Sequence, residues 1–214
     1  MVKNDNILAL ASPSGVGAIS FIRISGPQSI SIVDNIFDGI EKIKLADQEA
    51  NRVQLGYIID NKMTIDKVLV TVFRNPKSYT GEDLVEISCH GSTFIQESII
   101  QLMLKFDCRV ANPGEFTMRS FLNGKMDLSQ AESVADLISS NSEASHKLAM
   151  NQMRGGFKND INDLRNELVN FASLIELELD FSQEDVEFAN MNELNKLLDK
   201  ITFNLKKLID SFKT

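Results

Sequence analysis

The stretch LVEISCHGSTFIQESIIQLMLKFDCRVA, residues 84–111, contains the pattern of a strand, a helix and a second strand in succession. Apolar and polar residues alternate through LVEISCH, which places Glu86 on the face opposite Val85 and Ile87. Apolar residues then recur in steps of three and four, as on one face of a helix, and CRVA returns as a strand. The apolar stripe of this helix comprises Phe94, Ile95, Ile99, Leu102, Met103 and Phe106. The stretch therefore predicts an α/β unit.

Two more strands are predicted near the N-terminus. Residues 7–11 and 18–25 are both strand-like, and SPSGVG joins them. The glycines of GVGAIS suggest a dinucleotide-binding motif, but its third glycine position holds Ser20 and the segment lies between two strands. A tight hairpin is therefore predicted here. Gly26 and Pro27 then suit the cap and first position of a helix over SISIVDNIF.

A second hairpin is predicted in the following region. Four apolar residues alternate along one strand, and the turn DNKM separates them from the β-branched run VLVTVF. The alternating residues are Val53, Leu55, Tyr57 and Ile59.

Beyond residue 115 the strand pattern ends and helical periodicity follows. Either Asp127 with Gln130 or Ser129 with Glu132 predicts a capping box, and the pair Gly155–Gly156 predicts a break between helices. Two apolar seams have the spacing of helices that pack on other helices. The first comprises Phe157, Ile161, Leu164, Leu168, Phe171 and Ile175, and the second comprises Leu194, Leu197, Leu198, Ile201, Leu205, Leu208, Ile209 and Phe212. The predicted fold class is α+β, with a mixed-sheet α/β domain followed by an all-α, bundle-type region.

Composition and charge limit the classes of function. The 214 residues include 22 basic and 30 acidic side chains, and the net charge of -8 opposes non-specific attraction to a phosphate backbone. No apolar run approaches the ~20 residues of a spanning helix, and no secretion signal is recognisable. Cys89 and Cys108 are too few for a disulfide framework. We therefore expect a cytoplasmic protein with reduced thiols.

Three charged residues are candidates for a binding site. Arg23 lies in the apolar strand FIRIS, where a buried cation needs an anion or a position at the rim. Glu86, in LVEIS, offers a carboxylate that accepts two parallel hydrogen bonds from a flat N–H and NH₂ edge such as a pterin presents. The alternative is that Arg23 and Glu86 pair with each other or with neighbours.

Lys125, in NGKMD, follows a helix-ending glycine, where a solvated lysine is ordinary. The preceding Gly124 does not complete a phosphate-binding P-loop, because Arg119 occupies the upstream glycine position and Met126 replaces Ser or Thr. From its local sequence alone, Lys125 is thus a solvated cation.

Four stretches together resemble the MnmE (TrmE) family of tRNA-modification GTPases. They are DNILALASPSGVGAISFIRISGP, SYTGEDLVEISCHGS, NPGEFTMRSFLNGKMDLSQAESVADLI and ELELDFSQED. The resemblance implies that residues 1–118 form a folate-binding and dimerisation domain similar to the tetrahydrofolate-binding domains of one-carbon enzymes. It implies that residues 119–214 form the first part of a helical domain, whose second part and inserted GTPase domain lie outside this chain.

The resemblance also implies a ligand and partners. By motif, Arg23, Glu86 and Lys125 correspond to the residues that hold 5-formyltetrahydrofolate, and no catalytic or metal-ligating residue is expected in this chain. The whole protein is expected to hydrolyse GTP with Mg²⁺ and K⁺, and to act with the FAD-containing partner MnmG (GidA) on C5 of the wobble uridine of tRNA. Two alternatives are a purely structural dimerisation scaffold and a stand-alone one-carbon transferase. The second is disfavoured, because no nucleophile and general-base pair emerges from the sequence.

Overall fold

In the computed structural model, which describes residues 5–180 and 191–211, the N-terminal region contains a seven-stranded mixed sheet. The strands are β1 Asn6–Leu10, β2 Gly17–Ser25, β3 Phe37–Gly39, β4 Val53–Asp60, β5 Met63–Phe73, β6 Leu84–Gly91 and β7 Cys108–Val110. Their order across the sheet is β3-β4-β5-β6-β2-β1-β7, and β1 with β7 is its parallel pair.

Helices connect and follow these strands. They are α1 Ser29–Asp34, α2 Thr93–Met103, α3 Glu115–Leu122, α4 Leu128–Ser139, α5 Glu143–Met153, α6 Gly156–Asp180 and α7 Met191–Ser211. The described chain thus passes from a mixed sheet with helices to a purely helical region, which confirms the predicted fold class. No described helix combines the length and apolarity needed to cross a bilayer.

The main hydrophobic core lies on one face of the sheet, here called the inner face, beneath α1 and α2. Ile22, Ile24 and Ile87 are fully buried there and belong to one apolar cluster with Ile99 of α2. The alternation predicted for β6 is confirmed, because its even-numbered residues point to the opposite, outer face. The predicted helical stripe is wrong at Phe94, which is 70% exposed in the first turn of α2.

Both predicted hairpins are present. β1 and β2 pair antiparallel, but residues 11–16 between them make a longer connection than a tight turn. β4 and β5 are joined by Asn61 and Lys62, both with positive φ, as a two-residue hairpin turn requires. The apolar alternation along β4 follows the outer face, where Val53 and Leu55 are exposed, whereas the inner face of this strand buries Gln54, Gly56 and Ile58.

The helix predicted over residues 29–37 is shorter than expected. α1 ends at Asp34, because Phe37 pairs with Ile58 and begins the edge strand β3. The N-cap residue is Gln28, not Gly26. Gly26 instead adopts a φ of 141°, and a Cβ there would lie 2.6 Å from the Asn6 side chain, so only glycine fits this close approach.

The chain divides into two compact units, residues 1–134 and 135–214. The predicted division after residue 118 lies inside α3. Contacts place α3 with the sheet, because the buried Arg119 side chain hydrogen-bonds Asp5 and Glu82. α4 begins with the predicted capping box, in which Asp127 and Gln130 exchange hydrogen bonds between side chain and backbone.

The second unit consists of helices. Gly155, at a φ of 72°, separates α5 from α6, as predicted. Leu164 and Phe171 of α6 and Leu197 of α7 are buried, and Lys200 pairs with Glu167 between the two helices. Several predicted seam residues are partly exposed in the chain described, namely Ile161, Leu168, Ile175, Leu198 and Leu205. The side chains of Phe157, Leu208, Ile209 and Phe212, and residues 181–185 of the ELELDFSQED stretch, lie outside the described residues.

Candidate functional site

Arg23 and Glu86 lie directly opposite each other on the neighbouring strands β2 and β6. The guanidinium donates from Nε at 2.8 Å and from Nη2 at 2.6 Å, both to Oε1 of Glu86. The two side chains are 26% and 24% exposed, so the pair lies at the surface of the outer face. Of the possibilities that the sequence left open for these two residues, direct pairing with each other is the one present in the structure.

The pair leaves hydrogen-bonding capacity unused. Both nitrogens of Arg23 share one carboxylate oxygen, and no donor in the described chain hydrogen-bonds Oε2 of Glu86. The guanidinium also retains N–H groups beyond the two that it donates. The second carboxylate oxygen of this partly exposed side chain therefore has no donor among the described residues, and it can accept hydrogen bonds from a bound molecule.

Two aromatic rings accompany the guanidinium. The Cζ atom of Arg23 lies 5.2 Å from the centroid of the Tyr79 ring and 5.7 Å from that of Phe116, both within cation–π distance. The Tyr79 hydroxyl is 2.8 Å from Oγ1 of Thr117, on the same helix as Phe116. Neither ring is predicted from the sequence. They belong to SYTGED and NPGEFT, the turn-rich stretches on either side of the strand–helix–strand unit, and no periodic pattern marks them.

The segment that carries Tyr79 is fixed between β2 and α3. Thr80 Oγ1 lies 2.7 Å from Ser25 Oγ, and the Ser120 hydroxyl donates to the Tyr79 carbonyl at 2.7 Å. The Asn123 amide donates to the Thr80 carbonyl, also at 2.7 Å. These contacts hold Tyr79 beside Arg23 without help from a ligand.

Lys125 lies beside the same segment. It follows the end of α3, where its backbone N–H donates to the Ser120 carbonyl at 2.9 Å. Its side-chain carbons face Gly81, because a Cβ at Gly81 would lie 3.2 Å from Cγ and 3.4 Å from Cδ of Lys125. The side chain is exposed and forms no ion pair with any described residue. Residues 79–81 therefore separate two of the candidates, with Arg23 at Tyr79 and Lys125 at Gly81.

A buried ionic network supports this region from below. Arg119 is 1% exposed, and its guanidinium donates to Asp5 Oδ1 at 2.5 Å, to both Glu82 oxygens at 3.2 Å and to Glu115 Oε1 at 3.2 Å. Arg109 joins the network through Glu115 at 2.6 Å and Asp5 at 2.8 Å. Glu82 also accepts the Ser25 hydroxyl, which connects the network to β2.

These contacts shift the titration of the network. Hydrogen bonds from Arg109, opposed by burial, lower the pKa of Glu115 to about 2. Burial works to raise the pKa of Asp5, but hydrogen bonds from Arg109 and Arg119 outweigh it and the pKa is lowered. Glu115 and Asp5 are therefore ionised at neutral pH. In the sequence, the only local indication of this ionic network is that Glu115 and Arg119 are spaced one helical turn apart.

The thiols and the strand histidine do not form a nucleophilic site. Both cysteines are free, and burial raises the pKa of Cys89 and of Cys108 to about 11, with smaller contributions from Asp66 and Asp107. His90 Nδ1 lies 2.7 Å from Asp66, which also accepts the His90 backbone N–H, so this histidine is hydrogen-bonded within the sheet. Within residues 5–180 and 191–211, no three His, Cys, Asp or Glu side chains are grouped to hold a metal.

Comparison with known proteins matches the two regions to two family models. The model described as the GTP-binding protein TrmE N-terminus matches residues 6–125, and the model of the MnmE helical domain matches residues 128–214. The boundary between these matches lies just after Lys125.

Curated relatives align along the whole chain, and each is a tRNA modification GTPase MnmE. The protein of Flavobacterium johnsoniae is 61% identical over 212 residues, which are 99% of this chain and 46% of the relative. Those of Christiangramia forsetii and Bacteroides thetaiotaomicron are 59% and 54% identical, over 100% and 99% of this chain and 45% of each relative. The chain thus spans somewhat less than half the length of the curated relatives it matches.

Proposed function

This chain belongs to the MnmE family of tRNA modification GTPases, and from that premise we propose that its first unit binds 5-formyltetrahydrofolate at Arg23, Glu86 and Lys125. One observation carries the proposal: the Arg23–Glu86 pair lies at the surface with a carboxylate oxygen free to accept. A structural ion pair satisfied on both sides would lack that acceptor.

Each of the three residues matches part of the ligand. The pterin ring presents an N–H beside an NH₂ group, and the carboxylate of Glu86 accepts from both. The folate tail carries carboxylates, and Lys125 and the unused N–H groups of Arg23 supply positive charge for these or for other polar groups. The Tyr79 ring adds an apolar surface beside the guanidinium.

Isothermal titration calorimetry with 5-formyltetrahydrofolate tests the site. We expect heat of binding with the wild-type chain and none with Glu86→Ala. Asp60→Ala is the matched control, because Asp60 is 27% exposed and paired with Lys105, much as Glu86 is paired with Arg23. Unchanged binding in Glu86→Ala would refute the assignment, and an absence of binding to a verified dimer would favour the scaffold hypothesis.

We also propose that the first unit forms a homodimer through the outer face of its sheet. α1 and α2 pack on the inner face, whereas a row of apolar side chains is exposed on the outer face across β2, β5 and β4. This row comprises Ile19, Phe21, Val53, Leu55 and Leu69. Phe21, Leu69 and Leu55 lie in one register row, immediately beside the row of Arg23 and Glu86. A second copy offers a matching apolar face, and such patches are typical of interfaces between proteins.

Light scattering of a substituted chain tests the dimer. Leu69→Lys places a charge among the five exposed apolar side chains of the outer face, and the substituted chain should be a monomer at micromolar concentration. Leu148→Lys is the matched control, because Leu148 is 42% exposed, close to the 44% of Leu69, but lies on α5 in the second unit. A wild-type monomer, or a dimer that persists in Leu69→Lys, would contradict the proposed interface.

For the whole protein we propose cytoplasmic GTP hydrolysis with Mg²⁺ and K⁺. We further propose that it modifies C5 of the wobble uridine of tRNA together with an MnmG-type flavoprotein. The names of the relatives support the tRNA and GTPase parts of this proposal. The acidic balance of the chain supports a division of labour in which other parts attract the RNA. GTPase assays of the full-length protein in KCl and in NaCl, with and without Mg²⁺, test the cation requirement, which equal rates in all conditions would contradict.

A further inference from the structure

The guanidinium of Arg23 binds Glu86 through only one of the two carboxylate oxygens. Nε and Nη2 both donate to Oε1, at 2.8 and 2.6 Å. An arginine beside a carboxylate frequently forms two parallel bonds, one to each oxygen, because the spacing of its N–H groups matches that of the oxygens. The two residues lie directly opposite each other on neighbouring strands, within reach of either arrangement. The preference for Oε1 therefore comes from contacts outside the pair.

Two aromatic rings supply such contacts. The Cζ atom of Arg23 lies 5.2 Å from the ring centroid of Tyr79 and 5.7 Å from that of Phe116. A guanidinium is attracted to aromatic rings within about 6 Å. Moving it into the arrangement with two oxygens changes its position relative to both rings at once. The two ring contacts together thus favour the position that the guanidinium has.

The protein itself fixes both rings. The Tyr79 hydroxyl lies 2.8 Å from Oγ1 of Thr117, and the Tyr79 carbonyl accepts the Ser120 hydroxyl at 2.7 Å. Phe116 follows Glu115, whose carboxylate is 4% exposed and held in the buried ionic network. The rings are therefore in place before any ligand binds.

We propose that Tyr79 and Phe116 are positioning residues that hold Arg23 on Oε1 of Glu86, so that Oε2 stays free. This role rests on the proposed folate site, because it explains how an ion pair keeps an acceptor available for the pterin. Without the rings the guanidinium takes both oxygens, and the pterin has to displace it from Oε2. The rings act through Arg23 and Glu86, and no contact between them and the ligand is required.

A crystal structure of the 214-residue chain with Tyr79→Leu, grown without ligand, tests the arrangement directly. We expect Arg23 to donate to both oxygens of Glu86 in this variant, and to Oε1 alone in the wild type and in Tyr79→Phe, which keeps the ring. A guanidinium that stays on Oε1 alone in Tyr79→Leu would overturn the inference.

Calorimetry with 5-formyltetrahydrofolate measures the consequence for binding. We expect affinity to fall about fivefold in Tyr79→Leu and to stay within twofold of the wild type in Tyr79→Phe. Tyr57→Leu is the matched control, because its ring lies 5.9 Å from Nζ of Lys67, a cation outside the proposed folate site. Light scattering verifies that the variants compared have the same oligomeric state. Unchanged affinity in Tyr79→Leu, or an equal loss in Tyr57→Leu, would contradict the positioning role.

A double-mutant cycle separates positioning from direct contact and from folding. In a Glu86→Gln chain the free carboxylate oxygen is already lost, so adding Tyr79→Leu should weaken binding by less than a further twofold. A further fivefold loss would show that the ring acts independently of Glu86, and the inference would then be wrong. Failure of the folate site has a different signature, namely unchanged binding in Glu86→Ala. The crystal structure of Tyr79→Leu would even then decide whether the rings set the geometry of the ion pair.

Discussion

Replacing Arg119 with methionine removes a fully buried cation beneath the proposed folate site. The side chain donates five hydrogen bonds, to the Asp5 carbonyl and to the carboxylates of Asp5, Glu82 and Glu115. Methionine has a similar length and leaves little empty space, so the variant isolates the loss of charge and hydrogen bonds.

The expected loss in free energy of unfolding follows from the ion pairs that remain in the variant. Arg109 still compensates Asp5 and Glu115, but Glu82 keeps only its hydrogen bonds from neutral groups such as the Ser25 hydroxyl. Breaking a buried ion pair on one side typically costs about 3–5 kcal/mol, a large part of the ~5–15 kcal/mol that stabilises a domain. Arg109→Met is the matched comparison. Arg109 contacts two of the same carboxylates but is 37% exposed, so we expect a loss near 1 kcal/mol.

Urea titration followed by tyrosine fluorescence measures the free energy of unfolding of the first unit, residues 1–134. The chain has two tyrosines and no tryptophan, and Tyr57 and Tyr79 both lie in the first unit. The signal is therefore independent of the helical unit, whose separate unfolding would complicate circular dichroism. A loss below 1 kcal/mol in Arg119→Met, or one equal to that in Arg109→Met, would refute the argument that this network holds α3 to the sheet.

Three further predictions follow from the same region and from the thiols. The pKa of Glu115 is lowered from 4.5 to about 2, so its contribution is complete above pH ~4.5 and is lost as pH falls toward 2. Urea titrations should show a flatter acid limb in Glu115→Gln than in the wild type, and parallel limbs would contradict this. Gly81→Ala should cost about 1–2 kcal/mol, because φ is 77° and the added Cβ would lie 3.0 Å from Cβ of Asn123 and 3.2 Å from Cγ of Lys125; a melting temperature equal to that of the wild type would count against it. Cys89, which is buried and whose pKa is raised to about 11, should react with a thiol reagent at pH ~7.5 only in urea, whereas rapid labelling of this thiol in a native Cys108→Ser chain would contradict its burial.

Periodicity predicted most strands but not which face of each is buried. In β6 the apolar residues alternate with charged and polar ones, so the buried face is evident from Val85 and Ile87. In β4 the residues of the more apolar phase are exposed, and Gln54 is buried instead. In a sheet with one covered face and one apolar exposed face, both alternating sets of residues along a strand are apolar. Alternation alone therefore does not show which set is buried.

The parts of the site that the sequence did not predict depend on contacts between distant residues. Arg119 and Asp5 are 114 positions apart, and Arg23 meets Tyr79 and Phe116 only after β2, the 78–83 segment and α3 come together. The individual candidates Arg23, Glu86 and Lys125 came from motifs. That two of them pair directly, and that the third lies beside Gly81, required the three-dimensional arrangement.

The affinity of Glu86→Gln for 5-formyltetrahydrofolate tests the central claim most directly. Glutamine keeps the shape of the side chain but replaces one acceptor oxygen with a donor, so it cannot accept from both pterin groups. Hydrogen bonds to a charged group contribute about 1.5–3 kcal/mol, so the folate site at Glu86 predicts affinity at least tenfold weaker than that of the wild type. Asp60→Asn should bind as the wild type does. An affinity of Glu86→Gln within twofold of the wild type would contradict the claim that this carboxylate holds the folate.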